Sequence, residues 1–292
     1  MSENKRKIHC LVCNSKIFNN VEAFKKPYKY SIIRCSECGM MVQYPMPTAS
    51  YLKKKYEKIY TSQKKVTSTE KAFYFFDIKQ EEGRIKEIET FKKKGSLLDI
   101  GASSGFFIKI VSKNKKWKVT GIEYSLAGVK EARRHKINLI HGNIFSSKIK
   151  NTQFDVVTMH SVLEHIPDPN AYLKKVRDKL RRNGLLVFSV PNVRSFEYFF
   201  YKVIKKRFPG FIDEHLYYFT PYSLTATLKK HGFKIKKITS RHYSTIRLPS
   251  RRPLAGWVTF PAKLLLEYTQ LGGSLKIGNL LYVYAEKDEK KN

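Results

Sequence analysis

The sequence predicts an α/β protein with a doubly wound, mainly parallel sheet of seven strands, preceded by a small cysteine-containing module. Three observations support this prediction. Apolar segments of strand length alternate with helical segments from residue 95 onward, which is typical of a parallel sheet covered by helices on both faces. A glycine-bracketed turn follows the first of these strands, and all four cysteines precede residue 39. The 292 residues, 42% of them hydrophobic, are enough to bury a sizeable core.

The cysteines at the front of the chain form two C-x-x-C pairs with 21 residues between them: Cys10, Cys13, Cys35 and Cys38. Two such pairs are typical of a tetrahedral Zn²⁺ site, and four thiolates leave no open coordination position, so we expect a structural zinc. Two disulfides and a redox-active C-x-x-C are the alternatives. A cytoplasmic chain disfavours the former, and the paired arrangement disfavours the latter. We expect the zinc module to span residues 1–47 and a helical linker or lid region to span residues 48–94.

The first strand of the main domain, which we expect to span residues 95–292, leads into the segment SLLDIGASSG at 96–105. Apolar residues flank Asp99, as in a buried strand, and Gly101 and Gly105 bracket a tight turn before a helical pattern. Such a unit presents free backbone N–H groups at the carboxyl end of a sheet, where doubly wound folds bind nucleotide-like ligands. The G-x-x-x-G spacing fits neither the dinucleotide motif nor the P-loop.

Six further strands are predicted after this turn: 118–122, 138–141, 154–159, 185–190, 234–240 and 280–286. Helices are expected to begin near Ser104, Ser125, Asn170, Ser195 and Pro221. We expect Asn183-Gly184 to end a helix that reaches Leu180–Arg182. An insertion at about 247–273 has the composition of a basic amphipathic helix, for which core packing and contact with a membrane surface are the two interpretations.

Polar side chains stand where the next strands end. Glu123 closes the second strand, 22 residues after Gly101, where a carboxylate can accept hydrogen bonds from both ribose hydroxyls. Asn143 and Ile144 follow the third strand, and His160 ends the fourth. Because the carboxyl ends of parallel strands meet at one edge of a sheet, we expect these residues to border one crevice.

With these motifs the chain resembles the class I S-adenosylmethionine (SAM)-dependent methyltransferases, which have a Rossmann-like sheet. The resemblance covers residues 95–190 and rests on LLDIGASSG, GIEYS, GNIF, FDVV and LEHIPDP. It implies that Asp99 orients the glycine turn, that Glu123 holds the ribose of SAM, and that Asn143 and Ile144 border the adenine. The family often has Asp where Asn143 stands, and an amide can still bond the adenine amino group. The full set of SAM-binding residues it implies is Asp99, Gly101, Ala102, Gly105, Glu123, Tyr124, Asn143, Ile144 and His160.

The front module and the segment DEHLYYFTPYSL at 213–224 are similar to a bacterial and archaeal branch of these enzymes. That branch is associated with the modification of sugars, cell-surface polysaccharides and lipid-linked glycans. The resemblance implies a hydroxyl acceptor on such a molecule, with peripheral membrane contact if the acceptor is lipid-linked. Removing the proton of a hydroxyl suits an imidazole. His215, beside Glu214, is the first candidate base and His165, after Glu164, the second; a packing role is the alternative for each.

The net charge of +33, from 57 basic and 24 acidic residues, attracts nucleic acid, anionic membranes or phosphorylated substrates. The basic residues are scattered in short clusters, which also fits ordinary solvated faces. Methylation of RNA is therefore the alternative function, although an adenine-type Asn-Pro-Pro-Tyr segment and a spare nucleophilic cysteine are both missing. A non-catalytic scaffold with a zinc interaction module is the other alternative. The polar N-terminus carries no secretory signal, so a cytoplasmic location is expected.

Overall fold

The structure is a computed structural model that describes residues 8–61, 68–241 and 275–289. The predicted insertion at 247–273 therefore lies outside the described residues. The strands are β1 (Phe18–Phe24), β2 (Tyr30–Cys35), β3 (Met41–Tyr44), β4 (Gly95–Ile100), β5 (Trp117–Glu123), β6 (Ile140–His141), β7 (Phe154–His160), β8 (Leu180–Pro191), β9 (Tyr217–Tyr218), β10 (Phe233–Arg241) and β11 (Leu280–Lys287). The helices are α1 (Ala49–Thr61), α2 (Ser68–Phe91), α3 (Phe106–Val111), α4 (Leu126–Arg134), α5 (Pro169–Lys179), α6 (Phe196–Val203) and α7 (Pro221–Lys230).

The main sheet contains all seven predicted strands, in the order β10-β11-β8-β7-β4-β5-β6. The five strands from β8 to β6 run parallel, and β11 lies antiparallel between β8 and β10. The predicted α/β class and mainly parallel sheet are confirmed. The parallel order places the carboxyl ends of β4, β5 and β7 side by side, which is where the candidate side chains lie.

A second sheet of four antiparallel strands, β1-β2-β3-β9, forms at the front of the chain. Its fourth strand comes from the main domain, because Met41 and Val42 of β3 pair with Tyr218 and Tyr217 of β9. The cysteine module and the segment 213–224 therefore form one continuous sheet, which their separation in sequence did not indicate.

The connection between α5 and β8 differs from the prediction. The helix ends at Lys179 and the strand begins at Leu180, so the predicted helical span over Leu180–Arg182 is wrong. The ammonium of Lys179 is buried and donates to the backbone carbonyls of Ile149 and Lys150, which fixes the end of the helix there. The Asn183-Gly184 turn instead forms an irregularity inside β8, with Asn183 in the left-handed region at φ 54°.

Within the described ranges, no helix has both the length and the apolar character that crossing a lipid bilayer requires.

Candidate functional site

The glycine turn after β4 is closely packed on both sides. Gly101 and Gly105 have φ of +74° and +77°, a region that favours glycine. A Cβ on Gly101 would lie 2.6 Å from Val162 Cγ2, and one on Gly105 would lie 2.8 Å from Ile137 Cγ2. The amides of Gly101 and Ala102 both donate to the carbonyl of Ile122, at 2.9 and 3.1 Å. The turn is thus held against the end of β5 with its shape fixed.

Glu123, at the end of β5, lies beside this turn and is only 6% exposed. Its Oε2 accepts from the Ser103 amide at 2.8 Å, and its Oε1 accepts from the Ser125 amide at 2.7 Å. Burial raises the pKa of this carboxyl, while the backbone amides act in the opposite direction. The carboxylate therefore links the glycine turn to the start of α4, at the place expected for a ribose-binding group.

Asp99, within β4, is 5% exposed and lies behind the turn. Its Oδ1 accepts a hydrogen bond from the Thr158 hydroxyl of β7 at 2.7 Å. Burial raises the pKa of Asp99 to about 7, although the Thr158 hydroxyl favours ionisation. This hydrogen bond joins the side chains of β4 and β7, two neighbouring strands of the main sheet.

Asn143 and Ile144, which are predicted to border the adenine, and Tyr124, which is predicted to bind SAM, follow the ends of β5 and β6. Asn143 is exposed, and its Oδ1 accepts from the Phe145 amide at 3.0 Å. Ile144 is completely buried in the main core, so its side chain supports the edge from below. Tyr124 is 49% exposed, and its carbonyl lies 3.1 Å from His141 Nε2.

A cavity of about 900 Å³ opens beside the glycine turn. Its walls include Ser103 of the turn, His160 and Glu164 after β7, His215 and Arg84. Of the predicted cofactor residues, only His160 lines it; Glu123, Asn143, Ile144 and Tyr124 are not among its wall residues. The cavity and the residues predicted to bind the nucleoside therefore occupy different parts of the site.

His160 is held in this wall by contacts on three sides. Its Nδ1 lies 3.3 Å from the Ser189 hydroxyl, and its ring contacts Phe107 and Tyr282. Burial, followed by the nearby guanidinium groups of Arg84 and Arg241, lowers the pKa of His160 well below its ordinary value. Its Nε2 is buried without a hydrogen-bond partner among the described residues. His160 is therefore neutral at physiological pH.

The two histidines predicted as alternative bases lie side by side. The rings of His165 and His215 meet edge to face, with centroids 4.7 Å apart. His165 Nδ1 lies 2.8 Å from the backbone carbonyl of Glu214, and this oxygen can only accept, so Nδ1 carries the proton and Nε2 the lone pair. Burial lowers the pKa of His165 to about 4 and that of His215 well below its ordinary value. Both imidazoles are neutral at physiological pH.

Arg84, on α2, is a wall residue of the cavity that sequence reasoning missed. It is buried, donates to the Tyr282 hydroxyl at 3.0 Å and forms an ion pair with Glu81 at 2.5 Å. No motif surrounds it, and α2 has no one-sided apolar stripe that would mark it as inward-facing. Only the packing of α2 against the sheet reveals it.

Helix α1, from the predicted linker or lid region, contacts both halves of the site. The Glu57 carboxylate accepts from the amides of Leu126 and Ala127, at 3.1 and 3.3 Å, at the start of α4. The ring of Tyr56 meets that of His165 edge to face at 5.6 Å. Neighbouring residues of one helix thus contact the nucleoside side and the cavity side.

The four cysteines lie together, as predicted. Cys10 and Cys38 have sulfurs 3.4 Å apart, those of Cys13 and Cys35 are 3.5 Å apart, and all four lie within 4.8 Å of one another. Disulfides require about 2.05 Å, and all four cysteines are free. Tetrahedral Zn²⁺ with bonds of about 2.3 Å places its sulfurs about 3.8 Å apart. The donor set therefore fits a zinc ion.

Comparison with known proteins bears on the main domain. The family model described as "Methyltransferase domain" matches residues 76–238. A ubiquinone biosynthesis O-methyltransferase of Coxiella burnetii is 27% identical over 178 residues, which cover 56% of this chain and 75% of that protein. The mitochondrial protein of the same name from Schizosaccharomyces pombe is 31% identical over 102 residues, covering 32% of this chain and 36% of that one.

Among solved structures, a SAM-dependent methyltransferase of Thermotoga maritima, titled a possible histamine N-methyltransferase, shares the fold. Its TM-score is 0.53 at 16% identity, with 81% of this chain and 100% of that chain covered. The family match spans more than half of the chain, and it includes the glycine turn, Glu123 and both histidines. The chain therefore belongs to the methyltransferase-domain family, as a SAM-dependent enzyme with the class I fold.

Proposed function

We propose that this enzyme transfers the methyl group of SAM to a hydroxyl oxygen of a small-molecule acceptor bound in the cavity beside His165 and His215. The observation that carries the proposal is this pair of neutral, buried imidazoles, one with its Nε2 lone pair fixed by the bond from Nδ1 to the Glu214 carbonyl. The names of the curated relatives, which are O-methyltransferases, support the same reaction.

On the donor side, we assign three groups to SAM. The glycine turn is assigned to the methionine part, because the positive φ of Gly101 and Gly105 gives the tight backbone turn that such a contact needs. Glu123 accepts from the ribose hydroxyls. Arg84 lines the cavity beside the turn, where a guanidinium suits the carboxylate of the methionine part. When bound, SAM supplies an electrophilic methyl group on its sulfonium.

On the acceptor side, we assign the cavity to hold the hydroxyl in line with the methyl group. Positioning supplies a large part of the rate enhancement of such a displacement. The hydroxyl must also lose its proton, and an imidazole within hydrogen-bond reach assists that loss. His165 and His215 are assigned to this task as a pair, since the two rings are in contact.

The identity of the acceptor is the open half of the proposal. The cysteine module and the segment 213–224 favour a sugar or a lipid-linked glycan, whereas the names of the relatives refer to ubiquinone biosynthesis and to no glycan. The net charge of +33 keeps RNA as a third class. A panel of phenols, free and nucleotide-linked sugars, lipid-linked glycans and RNA distinguishes these acceptors.

The test follows the transfer of label from methyl-labelled SAM to this panel, with mass spectrometry and carbon NMR of the product. We expect a methyl ether, and we expect His215→Asn to lower kcat at least 100-fold while the Kd for SAM changes less than threefold. His231→Asn is the matched control, because His231 bonds Asn170 and neither residue lines the cavity. A product methylated on nitrogen or carbon, or full turnover by His215→Asn, would contradict the proposal.

A further inference from the structure

A side-chain cluster at the acceptor cavity has the composition of a metal site: Glu164 and His215 line the cavity, and the ring of His165 contacts that of His215. Glu164 and His165 end the 3-10 turn after β7, and His215 precedes β9. We propose that these three residues bind a divalent first-row transition-metal ion, distinct from the zinc of the cysteine module. This inference rests on the proposed function only where it assigns the ion a role with the acceptor hydroxyl.

The strongest observation is the state of the Glu164 carboxylate. The residue is 0% exposed, and neither of its carboxylate oxygens has a hydrogen-bond partner among the described residues. No described cation forms an ion pair with it. A buried carboxyl group whose oxygens lack hydrogen-bond partners is costly in either protonation state, and a metal ion at this position would supply the partner that both oxygens lack.

The geometry brings two nitrogen donors to the same place. The ligand atoms of Glu164, His165 and His215 all lie within 4.8 Å of one another. Two donors bound to one ion at about 2.1 Å are at most about 4.2 Å apart, so side-chain shifts of well under about 1 Å bring all three onto one ion. His215 Nδ1 is also buried without a partner among the described residues.

The second support is the tautomer of His165. Histidines that ligate metals donate their other ring N–H to a carboxylate or a backbone carbonyl, which fixes the ring and makes the ligating nitrogen more basic. His165 does this through Nδ1 and the Glu214 carbonyl at 2.8 Å. Its Nε2 lone pair is therefore available to an ion.

The surrounding charges favour a cation as well. Lys55 pairs with Asp213 at 2.9 Å and reaches Glu214 at 3.5 Å, so its charge is engaged by those two carboxylates. Glu164 adds a third carboxylate to this group. In a chain with a net charge of +33, this local excess of acidic side chains distinguishes the surroundings of the cluster.

One carboxylate and two imidazoles suit ions such as Mn²⁺, Fe²⁺, Co²⁺ and Zn²⁺, whereas four thiolates select Zn²⁺. Three protein ligands leave coordination positions open to the acceptor oxygen, and an ion there lowers the pKa of a bound hydroxyl. With the ion bound, His165 and His215 would act on the hydroxyl through the metal and not as proton acceptors, and the proton of the O–H bond would pass to water in the cavity. The O–CH₃ bond forms as the S–CH₃ bond breaks, and the electron pair of that bond stays on sulfur in S-adenosylhomocysteine.

The binding test uses the full-length, zinc-loaded protein and Mn²⁺ as the probe, followed by electron paramagnetic resonance. We expect one Mn²⁺ per chain in the wild type, and at least tenfold weaker binding in Glu164→Gln and in His215→Asn. His231→Asn should bind Mn²⁺ like the wild type. Unchanged SAM affinity in each variant shows that it is folded. Equal Mn²⁺ binding by the wild type and Glu164→Gln, or none by the wild type, overturns the inference.

The activity test separates this inference from the proposed function. The enzyme is treated with EDTA, retention of the module's zinc is confirmed by elemental analysis, and turnover is measured before and after Mn²⁺ is restored. We expect at least a tenfold loss that Mn²⁺ reverses. Full O-methylation after EDTA would overturn the metal site and leave the proposed function standing. Mn²⁺ binding without O-methylation of any acceptor would overturn the proposed function and leave the site standing.

Discussion

The backbone amide of Leu216 donates to the backbone carbonyl of Glu164 at 2.8 Å. On its other side, the Leu216 carbonyl accepts from the amide of Gln43 in β3, at 2.9 Å. One residue thus joins the sheet of the cysteine module to the wall of the cavity that we propose for the acceptor. His215 directly precedes Leu216 in the chain, and His165 directly follows Glu164, to which Leu216 is bonded.

The first prediction follows from this connection. Cys13→Ser should lower the zinc content and the melting temperature, and it should reduce kcat at least tenfold, because β3 no longer holds Leu216 and His215 in place. The Kd for SAM should change less than threefold, since the glycine turn and Glu123 belong to the main sheet. Elemental analysis, thermal unfolding, kinetics and calorimetry measure these quantities.

Ser36→Ala, an exposed change in the same module, is the control and should leave all four values close to those of the wild type. A Cys13→Ser variant that loses zinc but keeps full turnover would show that the module does not support the cavity.

The second prediction concerns the ribose contact. Glu123→Gln should weaken SAM binding roughly 10- to 100-fold, which is the range for losing hydrogen bonds to a charged group. Calorimetry measures the affinity. Glu131→Gln, on the exposed face of α4 and paired with Arg134, is the matched control and should bind SAM normally. Equal affinities in the two variants would remove Glu123 from the ribose site.

The third prediction concerns Arg84. Arg84→Met keeps much of the apolar stem but removes the guanidinium, so it should weaken the binding of both SAM and S-adenosylhomocysteine, which share the methionine-derived carboxylate. A cofactor analogue without that carboxylate should bind the wild type and the variant equally. Arg134→Met, on the surface of α4, serves as the comparison. The assignment fails if the variant discriminates against the analogue as strongly as the wild type does.

The fourth prediction concerns pH and Asp99. Its pKa is about 7 in the folded protein and about 3.9 in an unfolded chain. As pH rises from about 4 to 7, the unfolded chain loses this proton while the folded protein keeps it, so stability falls across that window. The full loss is on the order of 4 kcal/mol. Asp99→Asn should remove this loss, so its free energy of unfolding relative to wild type should rise from pH 4 to 7.

Urea unfolding of the SAM-free protein at several pH values measures the effect, and Asp155→Asn provides a control of opposite sign. Burial opposes ionisation of Asp155, but hydrogen bonds from Ser96 and Arg181 outweigh it and lower the pKa. That variant should therefore lose most stability at neutral pH and least in acid. A difference between Asp99→Asn and wild type that is independent of pH would rule out the raised pKa of Asp99.

Much of the fold was readable from local patterns. Alternating apolar segments predicted every strand of the main sheet, and Ser125, Ser195 and Pro221 marked three helix starts within one residue. The helix before Asn183 was predicted too long, because the buried contacts of Lys179 that end it involve carbonyls about 30 residues away. Local signals carry no information about such contacts.

The candidate site also combines residues that local patterns predict with residues that only the packing of the chain brings together. Glu123 and the glycine turn lie at the ends of adjacent parallel strands, so their proximity follows from strand order. Arg84 and Tyr56 lie on helices before the main sheet, in segments without a motif. Only packing brings Arg84 to the cavity and Tyr56 to His165.

The sequence by itself determined the class of fold, the methyl donor and the four cysteines, because each depends on residues that are near one another in the chain or on consecutive strands. The tertiary structure decided that His165 and His215, predicted as alternatives, form one pair with Glu164. It also decided that β9 completes the cysteine module's sheet. Both outcomes depend on contacts between residues about 50 to 175 positions apart, and such contacts form only when burial and hydrogen bonding fold the whole chain.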